Sequence, residues 1–157
     1  MRCANFVAGK IKQLRLAVIG DVMLDRYFYG EVKRISPEAP VPVNRVKKIT
    51  SVLGGAANVA ANLANLGCHV FMGGVTGADE NRLLLEKMLA ALHVNYEGLI
   101  KSKNRSTITK MRILGARQQM LRLDFEEVGD LHDDETAPLQ AWLEKLLQQG
   151  LDGIAIS

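Results

Sequence analysis

Two aspartates, Asp21 and Asp25, follow the apolar run Leu14 to Gly20 (LRLAVIG), which ends on Gly-Asp. A carboxylate just past the carboxyl end of a buried strand sits where α/β sheets hold their ligands. As an acceptor with several lone pairs it can hold two adjacent hydroxyls at once, although Asp also closes ordinary turns after strands. Gly54, Gly55 and Asn58 form a second group. The glycines allow a ligand close to the backbone, the helix they open offers N–H donors, and Asn58 can both donate and accept. A tight turn followed by a solvated Asn accounts for the same residues equally well. The third group is cationic: Lys110, Arg112 and Arg122 lie on two alternating segments, and a guanidinium matches a phosphate bidentately. Charges on exposed strands are otherwise simply solvated.

Other patterns carry less. Gly73, Gly74 and Gly77 join a strand to a helix, and Glu97 follows at the distance a dinucleotide fold places its ribose-binding acid. The spacing is GGxxG and not GxGxxG, and a complete strand–helix unit precedes it, so a nicotinamide-binding domain stands only as a minor alternative. The run Asp133, Asp134, Glu135 reads as compensation of a helix dipole, not as a metal site. His69, His93 and His132 have no partners at catalytic or ligand spacing, and Trp142 and Met88 read as core.

Composition narrows the field. The chain has 157 residues, 48% hydrophobic and 24% charged, the make-up of a globular domain with a sizeable core. A net charge of only +3, with no long Lys/Arg block, argues against nucleic acid as a partner. Cys3 and Cys68 lack a CxxC or a His at ligand spacing, as expected of isolated reduced thiols. The opening MRCANFVAGKIKQ has no apolar core of a leader, and no apolar run approaches the roughly 20 residues of a membrane span. A cytoplasmic protein with no membrane partner is the expectation.

The elements that must position these groups follow from periodicity. Leu14–Gly20 predicts a first buried strand. Between Tyr27 and Val52, three prolines (Pro37, Pro40, Pro42) and the alternation of Val41, Val43 and Val46 predict short, partly exposed strands outside the main sheet. GGAANVAANLANLG predicts a helix over about 55–66, Val70–Val75 a strand, and the segment after Asp79, its candidate N-cap, a second helix. Val94–Ile100 continues as a strand. TITKMRIL and QQMLRLDF, at 107–114 and 118–125, alternate across GARQ as an antiparallel hairpin expected to join the earlier excursion in a small sheet. A helix over Asp133–Gln149 and a strand over Leu151–Ser157 close the series. Alternating buried strands and helices predict an α/β fold with a parallel sheet covered on both faces.

These groups combine into a resemblance. GGAANVAANLANLG with Gly77 beyond it is similar to the amino-terminal signature of the ribokinase-like (PfkB) carbohydrate kinases, carried by Gly54, Gly55, Ala56, Asn58, Ala60, Gly67 and Gly77. Gly20 with Asp25 resembles that family's first strand and substrate-binding aspartate. GDVMLDRYFYG, RISPEAPVPV and TITKMRIL with QQMLRLDFEE resemble the heptose-7-phosphate kinases, found alone or fused to an adenylyltransferase. The resemblance spans about 14–157 and implies a ribokinase-like sheet with flanking helices plus a small β-sheet lid, made by about 27–52 and 107–125, which also forms a homodimer interface. It implies transfer of the ATP γ-phosphate, with Mg²⁺, to the anomeric hydroxyl of D-glycero-D-manno-heptose 7-phosphate, on the route to ADP-heptose. Asp25, Gly54, Gly55 and Asn58 carry over as sugar contacts, and Lys110 and Arg122 as contacts of the sugar phosphate.

The family's catalytic base, in a Gly-Ala-Gly-Asp motif, and its Asn-x-x-Glu metal motif match nothing here. The expectation is therefore the amino-terminal part of one domain, truncated on its C-terminal side, with the base beyond Ser157 and no catalytic or metal-binding residue in this chain. Two alternatives remain: a non-catalytic module that binds a sugar phosphate or dimerises, and a kinase of another sugar.

Overall fold

A computed structural model describes residues 9–116 and 118–157. Cys3 and the start of MRCANFVAGKIKQ lie outside the described residues.

Among the described residues, eight strands and three helices follow a short 3₁₀ turn at Ile11–Gln13: β1 (Arg15–Ile19), β2 (Val22–Ile35), β3 (Pro42–Gly54), α1 (Gly55–Asn65), β4 (His69–Thr76), α2 (Glu80–Ala91), β5 (Asn95–Lys101), β6 (Ile108–Gly115), β7 (Gln118–Phe125), α3 (Asp133–Gln148) and β8 (Gly153–Ile156). They divide into two four-stranded sheets, of order β5-β4-β1-β8 and β3-β2-β6-β7. The first is wholly parallel. In the second, β2 runs antiparallel to β3 but parallel to β6, and β7 returns antiparallel along β6.

The parallel sheet is covered on both faces. Val18, Val70 and Met72 pack with Ala56, Ala57 and Ala60 of α1 and with Leu85 and Leu89 of α2. Three buried alanines on one face of α1 let that helix lie close to the strands. Neighbouring residues of β4 point the other way, as strand alternation requires. There Gly73, together with Gly98 of β5, receives the indole of Trp142 from α3. Gly73 and Gly74 of the GGxxG pattern are thus strand residues, Gly74 facing Val22 and the Gly20 carbonyl, while Gly77 follows β4 and donates its N–H to Thr107 Oγ1 at 3.1 Å. The short 77–79 connection is packed against Arg105 and Thr107 and its Gly77 N–H is already taken, so it does not cradle a pyrophosphate, which corrects the dinucleotide alternative.

Cys68 is a free, buried thiol whose pKa burial pushes up.

Asp79 caps α2 as expected, its Oδ1 accepting the Arg82 N–H at 2.9 Å. Its Oδ2 also accepts the Thr107 N–H at 2.7 Å, tying the start of β6 to the end of β4. Burial pushes the Asp79 carboxyl up, but these donors outweigh it and hold the group below its ordinary value. Losing the cap costs about 1 kcal/mol, and orphaning the Thr107 N–H about as much again. Asp79→Ala should therefore lower the melting temperature by roughly 4–8 °C. Asp79→Asn, which keeps one acceptor, should recover about half; a thermal melt in which both variants match the parent would contradict the double role.

Candidate functional site

The turn after β1 is where the two sheets and α1 meet. The Asp21 N–H donates to the Ser157 carbonyl at 3.1 Å, and the Asp21 carbonyl accepts the Ala56 N–H at 2.9 Å. Gly55 opens α1 at φ +51°, a left-handed conformation, and a Cβ there would stand 2.4 Å from the Asp21 carbonyl. One of the N–H donors expected to await a ligand at this helix start is thus taken by the chain itself. The Asp21 side chain remains exposed.

Asp25 is not in the turn after β1 but four residues into β2, inside the small sheet. The two long strands of that sheet grow directly out of the body, since Met23 pairs with Gly54 and Asp25 with Val52. A Cβ on Gly54 would lie 2.5 Å from Asp25 Oδ2, so the glycine makes room for the carboxylate. Asn58 is exposed one turn into α1.

Strand register decides which side chains share a face with Asp25. Asp25 lies opposite Lys110, Tyr27 opposite Arg112, Lys110 opposite Asp124, and Arg112 opposite Arg122. With a two-residue period these all project to one side of the sheet, while Phe28, Ile49, Met111, Ile113, Leu121 and Leu123 project to the other. The small sheet therefore has one charged and one apolar face. Lys110, Arg112 and Arg122, singled out from sequence, do converge with Asp25.

Every one of these cations has a carboxylate partner. Lys110 Nζ donates to Asp124 Oδ2 and Glu126 Oε2, both at 3.3 Å, and Arg122 Nε lies 3.0 Å from Asp124 Oδ1. Arg112 Nη1 donates to Asp25 Oδ1, and its guanidinium lies 5.2 Å from the centre of the Tyr27 ring. The bond from Asp25 holds Arg112 above its ordinary pKa. Burial pulls Lys110 down, but its two carboxylate partners outweigh that and hold it up. The Arg112–Asp25 pair is invisible in the sequence, because the two lie 87 positions apart and only the parallel β2–β6 register joins them.

A cleft of about 510 Å³ opens at the carboxyl ends of β1 and β4, between Gly20, Asp21, Gly74 and the segment 126–131. Glu126 lines it and also accepts from Lys110, which makes the cleft continuous with the charged face. A hollow of about 490 Å³ at the far tip of the β2–β3 hairpin, between Glu31 and Arg45, is remote from the strand ends.

The wall formed by 126–131 is held by a network that sequence reading missed. Arg105 donates to the carbonyls of Glu127 and Gly129 at 3.3 and 3.2 Å and to that of Asp130. Its Nε lies 3.2 Å from Glu135 Oε2, and Ser102 Oγ donates to Glu135 Oε1 at 2.5 Å. Glu135 also accepts the His132 N–H at 2.9 Å and is 1% exposed. The acidic run at the start of α3 had signalled only dipole compensation; one of its members is a buried anchor.

Among the described residues, no group of three or more His, Cys, Asp or Glu side chains could hold a metal ion. The Mg²⁺ that the resemblance implies therefore finds no such ligand cluster among the described residues. No described helix is long and apolar enough to cross a membrane.

This architecture, a parallel α/β body carrying a small sheet beside the strand ends, is the fold of ribokinase-like sugar kinases. A carbohydrate kinase from Agrobacterium tumefaciens superposes with a TM-score of 0.68 over 92% of this chain and 45% of that one, at 18% identity. The ribokinase of Arabidopsis thaliana, solved with ribose and ATP, gives 0.61 over 80% of this chain and 42% of its own, at 20% identity. Residues 13–155 match the pfkB family of carbohydrate kinases, and the chain belongs to that family. It is 52% identical over 123 residues to the D-beta-D-heptose 7-phosphate kinase of Bordetella bronchiseptica, covering 78% of this chain and 39% of that protein. Over 145 residues it is 43% identical to the bifunctional protein HldE of Desulfatibacillum aliphaticivorans, covering 92% of this chain and 30% of that protein. The chain thus spans well under half the length of these curated relatives.

Proposed function

We propose that this chain carries the sugar-binding part of an ATP-dependent kinase acting on D-glycero-D-manno-heptose 7-phosphate at its anomeric hydroxyl. The observation that carries the reading is the 52% identity to a heptose 7-phosphate kinase over 123 residues, 78% of this chain. Geometry supports it: Asp25, with room made by Gly54, offers a carboxylate to two hydroxyls, and Lys110, Arg112 and Arg122 supply cations for a sugar phosphate on the same face. Asn58 is exposed on α1 and free to add a contact. ATP enters the reading through the family; the residues described here serve the sugar.

The small sheet acts as the lid of this site. Its opposite, apolar face exposes Ile49, Leu121, Leu123 and Phe125, which supports self-association through the lid. A cytoplasmic location completes the reading.

Calorimetric titration with heptose 7-phosphate, and release of ADP by the protein that carries this chain, test it. Asp25→Asn preserves the shape of the side chain but removes the charge that makes its hydrogen bonds strong, so sugar affinity should fall roughly tenfold to a hundredfold. If Asp25→Asn binds heptose 7-phosphate as the parent does, Asp25 does not hold the sugar. Turnover of an unphosphorylated hexose in preference to heptose 7-phosphate would sink the substrate assignment.

A further inference from the structure

The charged face holds three cations and three carboxylates, and their pairing is unequal. Lys110 shares two carboxylates, Asp124 and Glu126, neither of which is a sugar contact in the proposed reading. Arg122 leans on Asp124, and its side chain is 53% exposed. Arg112 alone is paired to Asp25, at 22% and 17% side-chain exposure, about as enclosed as the Lys110–Asp124 pair, and with its guanidinium against Tyr27. The guanidinium takes Oδ1, one of the two oxygens that a pair of adjacent sugar hydroxyls would use together, so Arg112 and the sugar compete for that atom.

We infer that Arg112 is the specificity-determining residue of this site: it occupies Asp25 in the empty protein and gives it up only to a sugar that brings an anion to replace it. This rests on the reading of Asp25 as the hydroxyl acceptor. The physical reason is an exchange of partners. A neutral sugar that takes Asp25 leaves the half-buried Arg112 charge without its hydrogen-bonded counter-ion, and loses in that step much of what it gains. A phosphorylated sugar returns about −1.5 to −2 charges and several acceptor oxygens in a geometry a planar guanidinium can grip twice. Lys110 and Arg122 face no such exchange, since Asp124 and Glu126 stay with them. Discrimination therefore comes from a repulsive element, the broken Arg112–Asp25 pair, as much as from the attraction of the phosphate.

The consequence is an effect of opposite sign on two ligands. In Arg112→Gln, affinity for the phosphorylated sugar should fall roughly tenfold to a hundredfold. Affinity for its unphosphorylated counterpart should rise by about threefold, because Asp25 is no longer occupied by a partly exposed partner. Arg112→Lys, which keeps the charge but not the fork, should lie between. The experiment is calorimetric titration of the parent and both variants with heptose 7-phosphate, with unphosphorylated heptose and with a hexose 6-phosphate, alongside a thermal melt of each. Collapse of the ratio between phosphorylated and unphosphorylated ligand, at retained melting temperature, is the expected result. Equal losses on both ligands in both variants, or no change on either, overturn it, as does a parent that binds the two kinds of sugar alike or neither. A parent that prefers hexose 6-phosphate, with Arg112-dependent discrimination, leaves this inference standing and removes only the heptose assignment.

Discussion

Glu135→Ala should lower the melting temperature by roughly 6–12 °C, from a loss of about 3 kcal/mol. Glu135 is almost wholly buried and gathers four groups: Ser102 Oγ, the His132 N–H, the Arg105 guanidinium and, through Arg105, the carbonyls of the 126–131 segment. Removing one member of a buried ion pair leaves the other charge without its counter-ion, which costs far more than a surface pair is worth. The cleft wall should loosen with it, so limited proteolysis should cut 126–131 faster in the variant. An unchanged melt would show that Arg105 is held by the carbonyls alone.

The same anchor makes the protein acid-sensitive. Burial is the largest influence on the Glu135 carboxyl and pushes it up, but the Ser102 and His132 donors and the Arg105 charge outweigh burial and hold the pKa below its ordinary value. A group depressed in the folded state binds its proton more readily when unfolded. Its contribution is therefore fully present above the unfolded value of roughly 4.3 and fades as pH falls through the lower folded value. Melts of the parent and Glu135→Ala should converge as pH drops from about 6 towards 3.

Gly98→Val should cost about 3 kcal/mol, with Gly73→Val close behind. A Cβ at either position would stand 2.4 Å from a ring carbon of Trp142, far inside contact distance. No rotamer change relieves this, because both glycines lie in strands of the parallel sheet and the indole covers both, so α3 itself must shift. Trp142→Ala alone should cost about 3 kcal/mol. In that background Gly98→Ala should be tolerated, giving a coupling of about 1–2 kcal/mol in a double-mutant cycle. Strict additivity would show that Gly98 is there for some reason other than the indole.

Much of this fold is legible from periodicity because each element has one dominant signal. The apolar run of β1, the small-residue face of α1 between Gly54 and Gly67, and the Asp79 cap all act within a few residues of themselves. Gly73, Gly74 and Gly98 were not legible in the same way: a glycine advertises that space is tight but not what fills it, and the filler, Trp142, arrives from more than forty residues away. Glu135 was read as one more acid in a first helical turn, since burial is a property of the neighbours and not of the residue.

The two aspartates that follow β1 show where the division falls. By itself the sequence determined that Asp25, the Gly54–Gly55 pair and a set of strand cations are present, and the pattern of their types was enough to mark the family. Only the tertiary structure decided that Asp21 stays at the turn, its backbone bonded to Ala56 of α1 and to Ser157 just past β8, while Asp25 rides on β2 opposite Lys110 and beside Arg112. The reason is register: a two-residue period assigns every side chain of a strand to one face or the other, but which strands lie side by side, and by how much they are offset, is settled by the packing of the whole sheet.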